Sequence, residues 1–182
     1  MYMIKSSLVP ALILKRTNTG EMDRVVTILT PDFGKMTVIA KGCRKMSSSQ
    51  RSHLEPGNII DAYLIYTKSL PILTQSRLIN NLSNIKTHLQ GMKKLFQVLE
   101  IIDTLFVENE GEQEYLDVIS LLTELNQYPN AYTIVQDRLN RLMMKLGYQD
   151  SKETEYKSII EYVSSVAERP MKSYSYLTIK SQ

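Results

Sequence analysis

The chain contains no tryptophan, three phenylalanines, two histidines and a single cysteine, Cys43. Each scarcity removes a class of function. One thiol forbids an intrachain disulfide and a four-cysteine zinc ribbon, and it suits a reducing cytoplasm. Neither a GxxxxGK loop nor a GxGxxG turn is present, so the two common nucleotide cradles are missing and no metal or cofactor is expected. Nucleophilic catalysis has one candidate set, Cys43 with His53 and nearby Glu55. Such a set needs an orienting group and an oxyanion site, and a polar loop does not by itself fix that geometry, so no enzyme is expected. Apolar runs are short, and none approaches the roughly 20 residues of a membrane span. Residues 8–14 hold Pro10 and lead into Lys15-Arg16 with no small-residue cleavage site, which reads as a buried strand rather than a signal peptide.

What is present is an uneven distribution of charge. The 182 residues are 43% hydrophobic and 23% charged, ordinary for a folded chain of one large domain or two small ones. Residues 1–80 hold 11 Lys/Arg against 5 Asp/Glu, and residues 81–182 hold 11 against 14. A polyanion is therefore expected at the N-terminal half, although surface charge also varies by chance.

The hydrophobic period changes at the same place. Strand-like segments fall at 8–15, 24–30, 35–41, 59–66 and 72–79, with turns at Thr17-Asn18-Thr19-Gly20 and Pro31-Asp32-Phe33-Gly34. A serine-rich loop, 42–53, reads as flexible. Five strands in about 80 residues suit a closed barrel of the OB type, while an SH3-like barrel or an open sheet fits a similar pattern. After Asn80, apolar residues at helical spacing predict helices over 83–107, from Tyr115 to Leu125, from Tyr132 to a stop at Gly147, and over 155–168. The acidic stretch 108–114 reads as a solvated turn. The expected class is α+β: an OB-type β-barrel over 1–80, followed by an α-helical bundle over 81–182.

Residues 34–56 concentrate the chemistry. Met36, Val38 and Ala40 alternate with Lys35, Thr37, Ile39 and Lys41, giving one apolar and one basic strand face. The stretch carries five Lys/Arg and one acid, Glu55. It reads either as a solvated surface strand with a mobile loop or as a surface for phosphates. Lys15, Arg16, Arg24, Lys35, Lys41, Arg44, Lys45 and Arg51 all fall at strand ends or on loops of the barrel and are the candidate nucleic-acid contacts. Aromatic supply is thin: Tyr2, Phe33, Tyr63 and Tyr66 only, with Tyr63 and Tyr66 three apart and so on opposite strand faces. Binding led by the phosphate backbone, leaving base edges free, is the form this composition supports. In the third helix, Arg138, Arg141 and Lys145 border the apolar row Val135, Leu139, Leu142 and Leu146. That stripe suits an acidic amphipathic peptide or a further DNA segment, or else simply faces water.

These residues resemble a known family. GEMDRVVTILTPDFGKMTVIAKGCRK, residues 20–45, resembles the pattern of the bacterial recombination mediator RecO. HLEP at 53–56, PILTQSRLI at 71–79, LGY at 146–148 and RPMKSYSYL at 169–177 are similar to later segments of that family, in the same order. The resemblance implies an N-terminal OB fold and an α-helical domain. It implies binding of single- and double-stranded DNA, annealing of complementary strands, partnership with RecR, contact with the acidic tail of single-stranded DNA-binding protein (SSB), and indirect loading of RecA. It places basic contacts on Arg24, Lys35, Lys41, Arg44 and Lys45, and a cytoplasmic, nucleoid-associated location. One departure stands out. Many relatives carry a four-cysteine zinc module between the LGY helix and the last helix, where this chain has a short polar linker, 149–156. The rival readings are an RNA-binding OB protein and a non-catalytic protein adaptor.

Overall fold

The computed structural model describes residues 5–107, 111–129 and 132–173. The chain falls into two compact units, one taking in the chain as far as Asn81 together with Val107–Tyr115, the other Leu82–Phe106 with Leu116 onward. Tyr2, residues 108–110 of the acidic stretch, and residues 174–177 of the RPMKSYSYL segment lie outside the described residues, as does the side chain of Tyr132.

The first unit is a five-stranded closed barrel. Its strands are β1 (Ser6–Thr19), β2 (Asp23–Thr30), β3 (Gly34–Ala40), β4 (Ile59–Ile65) and β5 (Ile72–Asn80). The hydrogen-bonded order is β1-β2-β3-β5-β4, returning to β1, with β3 and β5 meeting in parallel at Ile39 and Ile72. This is the expected OB-type barrel. β1 serves two neighbours because it is irregular after Ile13. Its first half pairs with β4, from Ser6–Ile65 to Leu12–Ile59, and its second half with β2, from Leu12–Leu29 to Thr19–Asp23. A bulge bends a strand enough to close a small barrel. The strand runs to Thr19, past the expected turn, because Thr17 and Thr19 pair with Val25 and Asp23. The chain then reverses at Gly20, whose φ of +53° suits a residue without a Cβ.

Alternation fills the interior. Ile13, Val26, Ile28, Val38, Ala40, Ile60 and Leu64 are all inaccessible to solvent. Each of the buried Val, Ile and Leu side chains stabilises the fold by roughly 1.5–3 kcal/mol on burial. One end of the barrel is stopped by Phe33 and Tyr66, whose rings lie 5.6 Å apart, with Tyr66 Oη 2.8 Å from Ser7 Oγ. The Val107–Tyr115 segment belongs to the same unit. Lys35 N donates to Val107 O at 3.2 Å. Burial, and then the charge of Asp61, push the Tyr115 phenol up to about 12.

The other end of the barrel departs from expectation. The stretch 42–53, read as a flexible loop, contains helix α1 (Gln50–His53) and contributes to the core on both flanks. Cys43 and Leu54 are buried in the barrel, and burial pushes the Cys43 thiol up. Gln50 Nε2 donates to Thr74 O at 2.6 Å, and His53 Nδ1 lies 3.1 Å from both Ser76 O and Ser76 Oγ. These contacts tie α1 to β5, so α1 is held against the barrel rather than hanging from it.

The second unit is helical: α2 (Ser83–Lys86), α3 (Leu89–Leu105), α5 (Tyr132–Lys145), α6 (Ile159–Val166) and most of α4 (Glu112–Gln127). The single helix expected over 83–107 is broken at His88, which is extended at φ −122° and ψ 139°. The corner needs Gly91: a Cβ there would lie 2.2 Å from Ile85 O. Asn126 fixes the same corner, accepting from Ile85 N at 3.0 Å and, through its carbonyl, from Asn84 Nδ2 at 2.6 Å. The LGY triplet is a helix stop. Gly147 adopts φ +87°, its N–H donates to Met144 O, and Tyr148 N donates to Met143 O, both at 3.0 Å. α6 starts on an N-cap, Ser158, whose Oγ accepts from Glu161 N at 3.2 Å, while Glu161 Oε2 accepts from Lys157 N, one residue before the cap, at 2.9 Å.

The Met171-Lys172-Ser173 part of the last family-like segment is held by Glu100 of α3. That carboxylate accepts from Lys172 N at 2.7 Å, from Ser173 N at 2.8 Å and from the Ser173 hydroxyl. Burial raises the Glu100 pKa, but the hydrogen bonds from Ser173 and Lys172 outweigh it and hold the carboxyl below the ordinary 4.5. A carboxyl with a depressed folded pKa contributes fully above its unfolded value and loses that contribution as pH falls through the folded one. Urea midpoints taken between about pH 5 and about pH 3 should therefore fall more steeply for wild type than for Glu100→Gln.

Candidate nucleic-acid interface and partner cleft

Strand register assigns each cation of the barrel to a face. Paired residues point the same way, so Arg16, Val26 and Val38 share the inner face, as do Asn18, Arg24 and Ala40. Thr17, Val25 and Ile39 share the outer face, as do Lys15, Thr27 and Thr37. Lys41 continues the outward alternation of Lys35, Thr37 and Ile39.

The inward cations are ties within the fold. Arg24 is only 5% exposed. Its Nη1 donates to Arg51 O at 2.9 Å and faces Glu55 Oε1 at 3.4 Å, while Nε donates to Asn18 Oδ1 at 3.4 Å. Arg16 meets the other oxygen of Glu55, with Nη2 at 2.8 Å and Nε at 2.9 Å. A guanidinium held this way inside the barrel end does not present itself to a phosphate, which corrects the reading of Arg24 as a contact residue and gives Arg16 a structural partner. Asn58, 3% exposed, completes the closure by donating to Ser52 O and His53 O at 2.9 and 3.0 Å.

The outward cations differ. Lys15, Lys41, Lys45 and Arg51 expose their side chains, and none of them forms a side-chain ion pair or hydrogen bond among the described residues. Arg44 is half committed, its Nη1 donating to Gly20 O at 3.3 Å and Glu21 O at 3.0 Å, so it ties the β1–β2 turn to the segment after β3. Asp23 helps from the same turn, accepting from Gly42 N at 2.7 Å. Lys35 is half-buried on the outer face. Among the described residues, the face between these cations carries Thr17, Val25, Thr27, Thr37 and Ile39 and no aromatic ring. Phe33 and Tyr66 plug the far end, and Tyr63 stands on the outer face of β4 with its hydroxyl donating to Ser6 Oγ at 3.0 Å. The surface offers charge and small β-branched side chains, without a stack for bases.

In the helical unit, α4 and α5 flank a cleft of about 360 Å³ lined by Asp117, Leu121, Arg138, Arg141, Leu142 and Lys145. The three cations of the sequence stripe thus converge on one concavity. Two are engaged. Arg138 donates to Ser120 Oγ at 2.9 Å and has Nε 2.6 Å from Glu124 Oε2, an ion pair rather than an aligned hydrogen bond. Lys145 is paired with Asp117. Arg141 is exposed and makes no such contact among the described residues.

Sequence reading missed Glu55 as the organising acid. Its signal was available: it is the lone acid among five cations in 34–56. No group of three or more His, Cys, Asp or Glu among the described residues is arranged to hold a metal, and no described helix is long and apolar enough to cross a membrane. Because Arg24 works inside the fold, Arg24→Ala should cost about 1–3 kcal/mol of stability through its unpaired partners, while Lys45→Ala should stay within about 0.5 kcal/mol. Urea denaturation of the two variants checks the contrast.

The family described as Recombination protein O N terminal matches residues 3–82. The chain is similar to the DNA repair protein RecO of Roseiflexus sp., 36% identical over 104 residues that cover 57% of this chain and 36% of the relative. It is similar to that of Dehalococcoides mccartyi, 35% identical over 140 residues, covering 76% of this chain and 55% of the relative. To that of Heliobacterium modesticaldum it is 28% identical over 138 residues, covering 76% and 50%. The chain spans about half the length, or less, of these curated relatives. With an OB-type barrel over the matched residues, residues 3–82 of this chain belong to the RecO family as its N-terminal domain.

Proposed function

We propose that this chain is a non-catalytic DNA-binding protein of repair and recombination, with the nucleic-acid role in residues 1–80 and partner contacts in residues 81–182. The observation that carries the reading is the outer barrel face. Its exposed lysines stand clear of ion pairs among the described residues, while the inward arginines are consumed in closing the barrel. Lys15, Lys41, Lys45 and Arg51 neutralise phosphates, with Lys35 and Arg44 at the margins. Because no aromatic platform takes up the bases, a bound strand keeps its Watson–Crick edges free, which favours annealing with a complementary strand held on the same surface.

The cleft between α4 and α5 suits an acidic, amphipathic peptide: three cations surround Leu121 and Leu142. We assign it to the acidic tail of SSB. The same proposal includes partnership with RecR, an indirect part in loading RecA and a cytoplasmic, nucleoid-associated setting, supported by the likeness to DNA repair proteins RecO.

The test is the salt dependence of binding to one oligonucleotide sequence as single-stranded DNA and as RNA. Combined change of Lys15, Lys41 and Lys45 to Ala should weaken DNA binding. It should also lower the slope of log K against log salt by about 0.7 for each phosphate no longer neutralised, roughly 2 in all. An unchanged slope would favour a protein adaptor, and a strong preference for RNA would favour an RNA-binding OB protein.

A further inference from the structure

The α4–α5 cleft carries its own acidic competitors. Asp117 lines the cleft and pairs with Lys145, while Glu124, about two turns further along α4, pairs with Arg138 at 2.6 Å. Both acids stand on α4 and both cations on α5; Asp117, Lys145 and Arg138 line the cleft, and Glu124 holds Arg138 from beyond its lining. Leu121, on the same face of α4, lies between them in sequence, and Leu142 contributes the apolar wall from α5. Arg141 is the cation of the lining that no carboxylate among the described residues engages.

We propose that Asp117 and Glu124 act as internal stand-ins for the carboxylates of an acidic peptide, and that such a peptide enters by displacing them. This rests on the reading of the cleft as a site for an acidic, amphipathic tail. Two of the three cations are already neutralised in the unliganded protein. An incoming carboxylate gains their charge only by separating Lys145 from Asp117 and Arg138 from Glu124. All four groups are partly exposed, with side-chain exposures of 49% and 31% for Lys145 and Asp117 and of 40% and 24% for Arg138 and Glu124. The Lys145–Asp117 pair is of the exposed kind that is weak and exchanges readily, whereas Glu124 Oε2 is itself buried and yields Arg138 less easily, so the two pairs temper affinity unequally without closing the site. Arg141 meets the peptide first because its charge is uncompensated. Occupancy is then a balance between acids on the peptide and acids on α4, and the protein releases the tail more readily than an all-cationic cleft would.

The experiment is fluorescence anisotropy of the full chain with a labelled acidic tail peptide of a bacterial SSB as the probe. Asp117→Asn and Glu124→Gln should each tighten binding by about two- to fivefold, the range expected for freeing one exposed cation from an ion pair. Asp32→Asn, which alters net charge equally on the β2–β3 turn, should leave affinity as it is. Arg141→Ala should weaken binding. Equal or weaker binding by both α4 variants, with Arg141→Ala still deleterious, would overturn the competitor role and leave the cleft standing. Tightening by Asp32→Asn to the same degree would also overturn it, because the effect would then be one of net charge. Indifference of the probe to Arg141→Ala would overturn the cleft assignment itself. Circular dichroism of each variant ensures that an unfolded variant is not scored as a non-binding one.

Discussion

Glu55 faces two guanidinium groups at the end of the barrel, and the rest of the first unit depends on that arrangement. Arg16 and Arg24 sit on inward-facing positions of β1 and β2, where a closed barrel would otherwise leave cations without partners. One carboxylate, delivered by the segment after α1, satisfies both. To deliver it, the chain leaves β3, buries Cys43, turns through α1, buries Leu54 and returns through Asn58 to pair beside Ile13. Gly57 N donates to Ile13 O at 2.8 Å and Ile13 N to Asn58 O at 2.9 Å, which seats the return against the bulge of β1. A segment rich in serine and basic residues is thereby anchored at both ends, and Lys41, Lys45 and Arg51 are displayed along it.

This division of labour among cations connects the fold to its use. Inward arginines hold the architecture, and outward lysines face solvent. Lysine suits the outward position because its ammonium is a compact, hydrated charge that neutralises phosphate without demanding a fixed bidentate geometry. The aromatic rings are spent elsewhere, Phe33 and Tyr66 on the opposite plug and Tyr115 in the returning segment. On the proposed reading, the barrel holds a nucleic-acid backbone and leaves the bases free. In the helical unit the same economy recurs in opposite sign, with α4 acids and α5 cations balanced across the cleft.

Much of this was legible in the sequence, and the misses share a cause. Alternation located the β3 faces, because Met36, Val38 and Ala40 turn inward as period two requires. Gly147 stopped α5 where a left-handed residue was expected. The plug was not legible: Cys43 and Leu54 are single apolar residues among polar ones, so no period marks them. The break at His88 was hidden because the apolar spacing of Ile85, Leu89 and Met92 runs straight through it, and only the approach of Ile85 O to Gly91 shows why the helix must turn. Arg16 and Arg24 looked like Lys15 and Lys41 because charge counting is blind to which side of a strand a residue occupies. Pairing register supplies that information, and it comes from tertiary structure.

The central claim, that the barrel grips the phosphate backbone and leaves bases free, is tested most directly by comparing binding of one oligonucleotide with that of its abasic counterpart of equal length at matched salt. Stacking on aromatic side chains is worth about 1–3 kcal/mol per base where it operates. The structure predicts affinities equal within about threefold and parallel salt slopes, since the phosphates are unchanged. A loss of about tenfold or more on removing the bases would contradict it.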